Sequence, residues 1–147
     1  YAFSSCHSLT KVNLSEGLKI LNNSVFFNCS ELREIKLPST LKEIGPRAFS
    51  GAALNNVVLP DSGKLTKIDE YAFYQSRELT DITIPACITS IPDNVFAECS
   101  KEVTIHGASG SYAQSYAKKN NLKFKADLAS SSKKATKASG KAAEKAE

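Results

Sequence analysis

Residues 25–44 read VFFNCSELREIKLPSTLKEI, and this stretch decides the fold. Residues 32–38 follow the pattern Leu-x-x-Ile-x-Leu-Pro, in which Ile35 and Leu37 alternate with polar residues at the period of a β-strand with one buried face. Pro38 ends that strand because proline has no N–H to donate to a neighbouring strand. Leu41 and Ile44 follow in a segment too short for a helix. We expect that segment to run back across another side of the structure.

The same pattern recurs along the chain, with phenylalanines spaced 23 or 24 residues apart. The Phe column comprises Phe3, Phe26, Phe49, Phe73 and Phe96. A small residue follows each Phe by three positions, and this Cys column comprises Cys6, Cys29, Ala52, Ser76 and Cys99. The strand column comprises Val12, Ile35, Val57, Ile82 and Val103, with Leu14, Leu37, Leu59, Ile84 and Ile105 two residues later. Gly45-Pro46 and Pro92-Asp93 are interpreted as turns into one helical turn at the Phe. No unit can bury its apolar face alone, so the pattern predicts stacked coils with the Phe, Leu and Ile columns inside.

The combined pattern Ala-Phe-x-x-Cys-x-x-Leu-x-x-Ile-x-Leu-Pro-x-x-Leu-x-x-Ile resembles the BspA-type leucine-rich repeat over residues 1–106. The resemblance implies an α/β repeat solenoid that is rich in short parallel strands, here of about four and a half coils. It also implies a secreted or surface-displayed protein used for adhesion and protein recognition, mostly in host-associated anaerobic bacteria and some protozoa. Ser15 and His106 replace the Pro, and the last unit lacks its Leu, which suggests that the array is ending.

Residues 107–124 are predicted to form a C-terminal cap. Tyr112 and Tyr116 lie four residues apart and would share one helical face, with Ser109 or Ser111 as N-cap. A left-handed stop at residues 120–121 and a short strand at 122–124 would complete the cap, which solenoids require. A tyrosine-face ligand site is the alternative for this helix. At the other end Tyr1 begins inside a repeat, so we expect further coils before it.

Residues 125–147 are predicted to be a flexible Ala/Ser/Lys-rich tail. Residues 129–147 contain no apolar side chain larger than that of Ala, so burial cannot offset the entropy cost of ordering them. The tail carries six Lys against three acidic residues, whereas residues 1–124 carry 13 Lys and Arg against 12 Asp and Glu. The body therefore has no basic field to attract nucleic acid. Contact of the tail with an anionic wall polymer or lipid is the alternative. No apolar run approaches the roughly 18 residues that a membrane span needs.

Few residues of the chain suggest catalysis or metal binding. His7 and His106 are predicted to stand at turns of distant coils, solvated and too far apart to share a metal or a proton. Ala and Ser occupy the Cys column elsewhere, so this column is interpreted as requiring a small buried residue rather than a reactive thiol. No Cys-x-x-Cys or His-rich spacing suggests zinc. We therefore expect neither a catalytic site nor a cofactor.

The surface left for binding is the polar side of the strands, hereafter the strand face. Its predicted residues are Lys11, Asn13, Glu34, Lys36, Asn56, Val58, Asp81, Thr83, Glu102 and Thr104. They would form a mixed-charge face without aromatics, in which Glu34 beside Lys11 is a candidate cross-strand pair. The predicted function is non-enzymatic protein recognition or adhesion, with a protein or cell-surface ligand. An ordinary solvated sheet face, an accessory region of a larger secreted hydrolase and a passive spacer remain the alternatives.

Overall fold

A computed structural model describes residues 1–128 of the chain. Its elements are β1 Lys11–Asn13, β2 Ile20–Leu21, β3 Glu34–Lys36, β4 Glu43–Ile44, β5 Asn56–Val58, β6 Lys67–Ile68, β7 Asp81–Thr83, β8 Thr104–Ala108, α1 Tyr112–Lys119 and β9 Lys123–Leu128. Every strand pair is parallel, as expected when successive coils repeat one path. The fold is a parallel-strand solenoid with one short helix near its described C-terminal end, which confirms the predicted fold class.

Each coil presents strands on two of its sides. The first side carries the strand face, in which β1 pairs with β3, and β5, β7, β8 and β9 form a second group. The second side carries β2, β4 and β6 in one sheet. The two-residue strands of this second side correspond to the short return segment of each repeat.

The third side of each coil is a run of turns, so the predicted helical turn before each Phe is wrong. Residues two before or two after the Phe adopt left-handed backbone, for example Ser24 with φ 57° and Asn28 with φ 56°. Ser24, Phe26 and Asn28 donate their N–H groups to carbonyls of the next coil at 2.9, 2.9 and 2.7 Å. A helical turn would direct those N–H groups along its own axis. The turns instead provide a third ladder between coils.

The core is organised around stacked aromatic rings, as the Phe column predicts. Phe26, Phe49 and Phe73 are buried, with ring centroids 5.5 and 5.3 Å apart along the stack. Interplanar angles of 4° and 15° make these rings nearly parallel. Most members of the Leu and Ile columns are buried or half-buried beside them in one continuous cluster, whereas Leu18 is 36% exposed.

Residues of the Cys column make hydrogen bonds between coils, which the small size of these residues alone did not predict. Cys29, Ser76 and Cys99 each donate a side-chain hydrogen bond to the Phe carbonyl of the preceding coil, at 3.1, 3.1 and 2.9 Å. The column therefore takes small residues, and three of them also donate a hydrogen bond that links adjacent coils. Ala52 fills the same position without that bond.

The strand face is interrupted between β3 and β5. These strands belong to separate sheets, and no backbone hydrogen bond within residues 1–128 joins them. The interval from the Phe to the central strand residue is nine residues in four units but eight in the unit of Phe49. This one-residue deletion displaces β5 from the register that would continue the ladder. Two extra residues before Leu65 restore the path and give that unit its length of 24.

Helix α1 and strand β9 pack against the coil that precedes them. Tyr116 is 2% exposed and its ring meets Phe96 edge-on, with centroids 6.1 Å apart. Its hydroxyl donates to the Pro92 carbonyl at 2.9 Å, while the Tyr112 hydroxyl accepts the Ile91 N–H at 3.0 Å. These contacts bind the helix face to the last coil. Both tyrosines are used in packing.

The details of this end differ from the sequence prediction in two ways. Ser111 occupies the N-cap position but makes no side-chain capping bond; instead Gln114 accepts the Gly110 N–H at 2.7 Å. Asn121 has φ 56°, which is the left-handed stop that was expected. β9 extends to Leu128, past the predicted boundary at residue 124. The rest of the predicted tail lies outside the described residues.

Candidate functional site

The strand face forms largely as its residues were predicted. Lys11 lies opposite Glu34 and Asn13 opposite Lys36, while Asn56 and Val58 lie opposite Asp81 and Thr83. Lys11 Nζ lies 3.3 Å from Glu34 Oε1, so the expected cross-strand ion pair is present. Both of its side chains are more than half exposed, which limits its contribution to stability.

The predicted register of the last coil is wrong by two residues. Ile105, rather than Val103, lies opposite Ile82, so Thr104 pairs with Asp81 and His106 with Thr83. Val103 is fully buried, and its N–H donates to the carbonyl of Ser100, three residues earlier. Leu9, Leu32 and Leu79 of the Leu column make the same bond to the residue three positions before them. Val103 therefore replaces the Leu that the last unit was expected to lack.

Glu102 consequently lies before β8 rather than on it. Its carboxylate pairs with Lys123 of β9, and this contact lowers the pKa of Glu102. Of the ten predicted face residues, Glu102 lies outside the strands, and Thr104 lies opposite Asp81 instead of opposite Thr83. His106 takes the place that was predicted for Thr104.

A groove opens in the strand face where β3 and β5 fail to pair. It has a volume of ≈ 440 Å³. This β3–β5 groove is lined by Lys11, Asn13, Arg33, Glu34, Ile35, Lys36, Asn55 and Asn56. Arg33 and Asn55 were not among the predicted residues, because they precede their strands and do not alternate with the core. The shortened Phe-to-strand interval in the unit of Phe49 was the signal that could have located the groove.

His106 is not a solvated histidine at a turn, as predicted, but a strand residue held between two carboxylates. Its Nε2 lies 2.7 Å from Asp81 Oδ1 and its Nδ1 lies 2.6 Å from Asp127 Oδ2. The hydrogen bonds with Asp81 and then Asp127 raise the pKa of His106, and burial opposes them. The pKa of Asp81 is lowered, first by His106 and then by the Thr80 hydroxyl. This His106 cluster ties together β7, β8 and β9.

The cysteines are arranged for packing rather than for reaction. All four are free thiols. Burial raises the pKa of Cys99 to about 11, so its thiol stays protonated and is a poor nucleophile near neutral pH. Within residues 1–128, no group of three or more His, Cys, Asp or Glu side chains is placed to hold a metal ion. No helix in the same part of the chain is long and apolar enough to cross a bilayer.

Comparison with known proteins gives the following matches. The model of the BspA type leucine rich repeat region matches residues 1–125 in six copies. A leucine rich cell surface protein of Faecalibacterium prausnitzii is similar in structure, with a TM-score of 0.69 and 28% identity over 86% of this chain and 32% of that one. No curated protein shows significant sequence similarity to the chain.

Two further solved structures share the fold at lower identity. The pneumococcal vaccine antigen PcpA has a TM-score of 0.66 and 20% identity over 87% of this chain and 38% of that one. A leucine rich repeat protein of T. pallidum has a TM-score of 0.54 and 24% identity over 88% of this chain and 78% of that one. The chain spans about a third of the length of the Faecalibacterium protein. Because the family model matches residues 1–125, the chain belongs to the BspA-type leucine-rich repeat family.

Proposed function

We propose that the chain is a non-enzymatic protein-recognition or adhesion module of a secreted or surface-displayed protein, and that it binds through the strand face. The observation that carries this proposal is the row of outward side chains on β1, β3 and β5, all polar except Val58, which are exposed within residues 1–128 and continue into the half-buried Asp81 and Thr83 of β7. The cell-surface description of the Faecalibacterium protein supports the same location for this one.

The strand face has the properties of a recognition surface rather than of an active site. It combines lysines, carboxylates and amides along short strands fixed by the packed Phe column. Rigid backbone under adaptable polar side chains reduces the ordering cost of binding. Charged groups on such a surface contribute chiefly to specificity and association rate.

The proposal is tested by measuring binding of the full chain to a panel of purified extracellular-matrix and host-surface proteins with biolayer interferometry. A face variant replaces Lys11, Lys36, Asn56 and Thr83 with Ala. The control replaces Lys19, Lys42, Asn22 and Thr66, which are exposed on or near the β2–β4–β6 side. The two variants remove the same residue types.

We expect the face variant to lose binding to any panel protein that the unaltered chain and the control variant both bind. Equal binding by the two variants would show that the strand face is not the contact surface. Absence of binding across the panel would contradict the recognition function and favour a spacer or an accessory region of a larger hydrolase.

A further inference from the structure

The β3–β5 groove carries an excess of positive charge that its own residues do not neutralise. Lys11, Arg33 and Lys36 contribute three cations, and Glu34 is the single carboxylate in the lining. Glu34 is paired with Lys11 at 3.3 Å, while Arg33 and Lys36 make no ion pair within residues 1–128. Glu16 lies close enough to Lys36 to be influenced by its charge, but its carboxylate already accepts the Ser39 N–H and hydroxyl at 3.0 and 2.6 Å.

The main chain of the groove adds neutral hydrogen-bonding groups to these cations. Because β3 and β5 do not pair, N–H and C=O groups on their adjoining edges are left without a main-chain partner across the gap. The amides of Asn13, Asn55 and Asn56 add further donors and acceptors. The groove therefore presents donors and acceptors together with two unpaired cations.

This combination favours a peptide over a polyanion. Peptide bonds need both a donor and an acceptor opposite them, whereas phosphate and sulfate chains need only donors and a longer basic field. Two unpaired cations match two carboxylates on a short segment, and Arg33 can bind one of them through two N–H groups at once. Ile35 provides an apolar contact within the lining.

We propose that the β3–β5 groove binds a short acidic peptide segment of a protein partner, with Arg33 and Lys36 as the residues that contact its carboxylates. The inference rests on the proposed function and names the partner chemistry for one part of the strand face. It also adds Arg33 and Asn55 to the residues of that face.

The experiment measures fluorescence anisotropy of a labelled acidic peptide, (Gly-Glu)4, titrated with the full chain. The neutral peptide (Gly-Gln)4 is the matched control for the ligand. The groove variant carries Arg33→Gln and Lys36→Gln. The control variant carries Arg77→Gln and Lys101→Gln, which remove one exposed Arg and one exposed Lys outside the groove.

We expect (Gly-Glu)4 to bind more tightly than (Gly-Gln)4, and the groove variant to bind it at least about tenfold more weakly than the control variant. Binding should weaken as salt is raised, because the cations are exposed. Thermal unfolding of both variants should match the unaltered chain, since none of the four side chains makes an ion pair with another residue of the described part of the chain. Equal affinities of the two variants, or of the two peptides, would overturn the inference.

Competition with sulfated dextran and with a single-stranded oligonucleotide distinguishes a peptide site from a general anion site. If either polyanion displaces (Gly-Glu)4 from the unaltered chain at concentrations below the Kd of (Gly-Glu)4, the groove is a polyanion site and the proposal is contradicted. The protein panel is probed with the groove variant in parallel. If panel binding persists in that variant and (Gly-Glu)4 does not bind, the inference fails and the proposed function stands.

Discussion

Replacing Phe49 with Ala tests whether the Phe column holds the coils together. Phe49 is fully buried, and its ring stacks on Phe26 and Phe73 at centroid distances of 5.5 and 5.3 Å. A buried Phe→Ala change costs about 3–5 kcal/mol, and stacked rings add about 0.5–1.5 kcal/mol per pair beyond burial. Because the ring of Phe49 stacks on a neighbour at both faces, we expect Phe49→Ala to lower the free energy of unfolding by about 5 kcal/mol, the upper end of the range for a buried Phe.

Phe3 provides the matched comparison, because the same side chain there is 48% exposed and, among residues 1–128, stacks on one ring only, Phe26 at 5.6 Å. Burial of roughly half the ring, at about 1.5–3 kcal/mol for full burial, predicts a loss of about 0.8–1.5 kcal/mol for Phe3→Ala. The third variant, Phe49→Leu, keeps most of the volume and should lose less than Phe49→Ala.

The measurement is urea unfolding of the full chain followed by far-UV circular dichroism and by tyrosine fluorescence, since the chain contains no Trp. Because each coil contacts only its neighbours, we expect the loss at Phe49 to reduce the cooperativity of unfolding as well as its midpoint. Similar losses for Phe49→Ala and Phe3→Ala, or a loss below about 1 kcal/mol at Phe49, would refute the role given to the stacked rings.

Three further predictions follow from the structure. The pKa of His106 is raised in the folded state, so its contribution to stability is fully present below the unfolded pKa of 6.5 and is lost as pH rises through the folded pKa. The unfolding midpoint measured above that range should therefore be lower than the midpoint measured below it. His106→Gln should abolish this difference, and His7→Gln should retain it. Ser76→Ala should lower the free energy of unfolding, measured with denaturant, by about 1 kcal/mol because it removes the donor to the Phe49 carbonyl, whereas Ser76→Cys should keep most of that stability. Equal losses in the two variants would contradict a stabilising role for this hydrogen bond. Gly45→Ala would place a Cβ 2.6 Å from a main-chain oxygen of the preceding coil, so its free energy of unfolding should fall by roughly 1–3 kcal/mol. An unchanged free energy of unfolding would show that the coils can separate at that point.

The fold could be predicted because the columns repeat with a period that only stacked coils satisfy. Phe spacing located the ring stack, and the alternation before each Pro located the strands. The period-two alternation alone could not fix the last register, because Val103 and Ile105 lie two residues apart and the alternation accepts either one at the strand centre. The nine-residue interval from Phe96 to Ile105, which three other units share, was the signal that favoured Ile105. Burial of Val103 in the position of the missing Leu decides it.

The candidate site could be predicted less completely, since its distinctive parts depend on contacts between distant segments. The sequence pattern assigned His106 to the Pro column, whereas the observed register places it opposite Thr83, and nothing near it in sequence indicates that Asp127 will lie beside it. The groove arises from a single missing residue, which changes the interval from Phe49 to Val57 but no residue type. Arg33 and Asn55 become groove residues only because that deletion separates their strands.

The interruption between β3 and β5 also has a mechanical consequence. The coils on either side of it remain joined through the pairing of β4 with β6 and through the turn bonds from Ser24, Phe26 and Asn28. Main-chain hydrogen bonds therefore join these two coils on two sides, and within residues 1–128 none joins them on the side of the strand face. Under a pulling force along its axis, the array should bend first at this junction, with the strand face widening while the opposite sides act as the pivot.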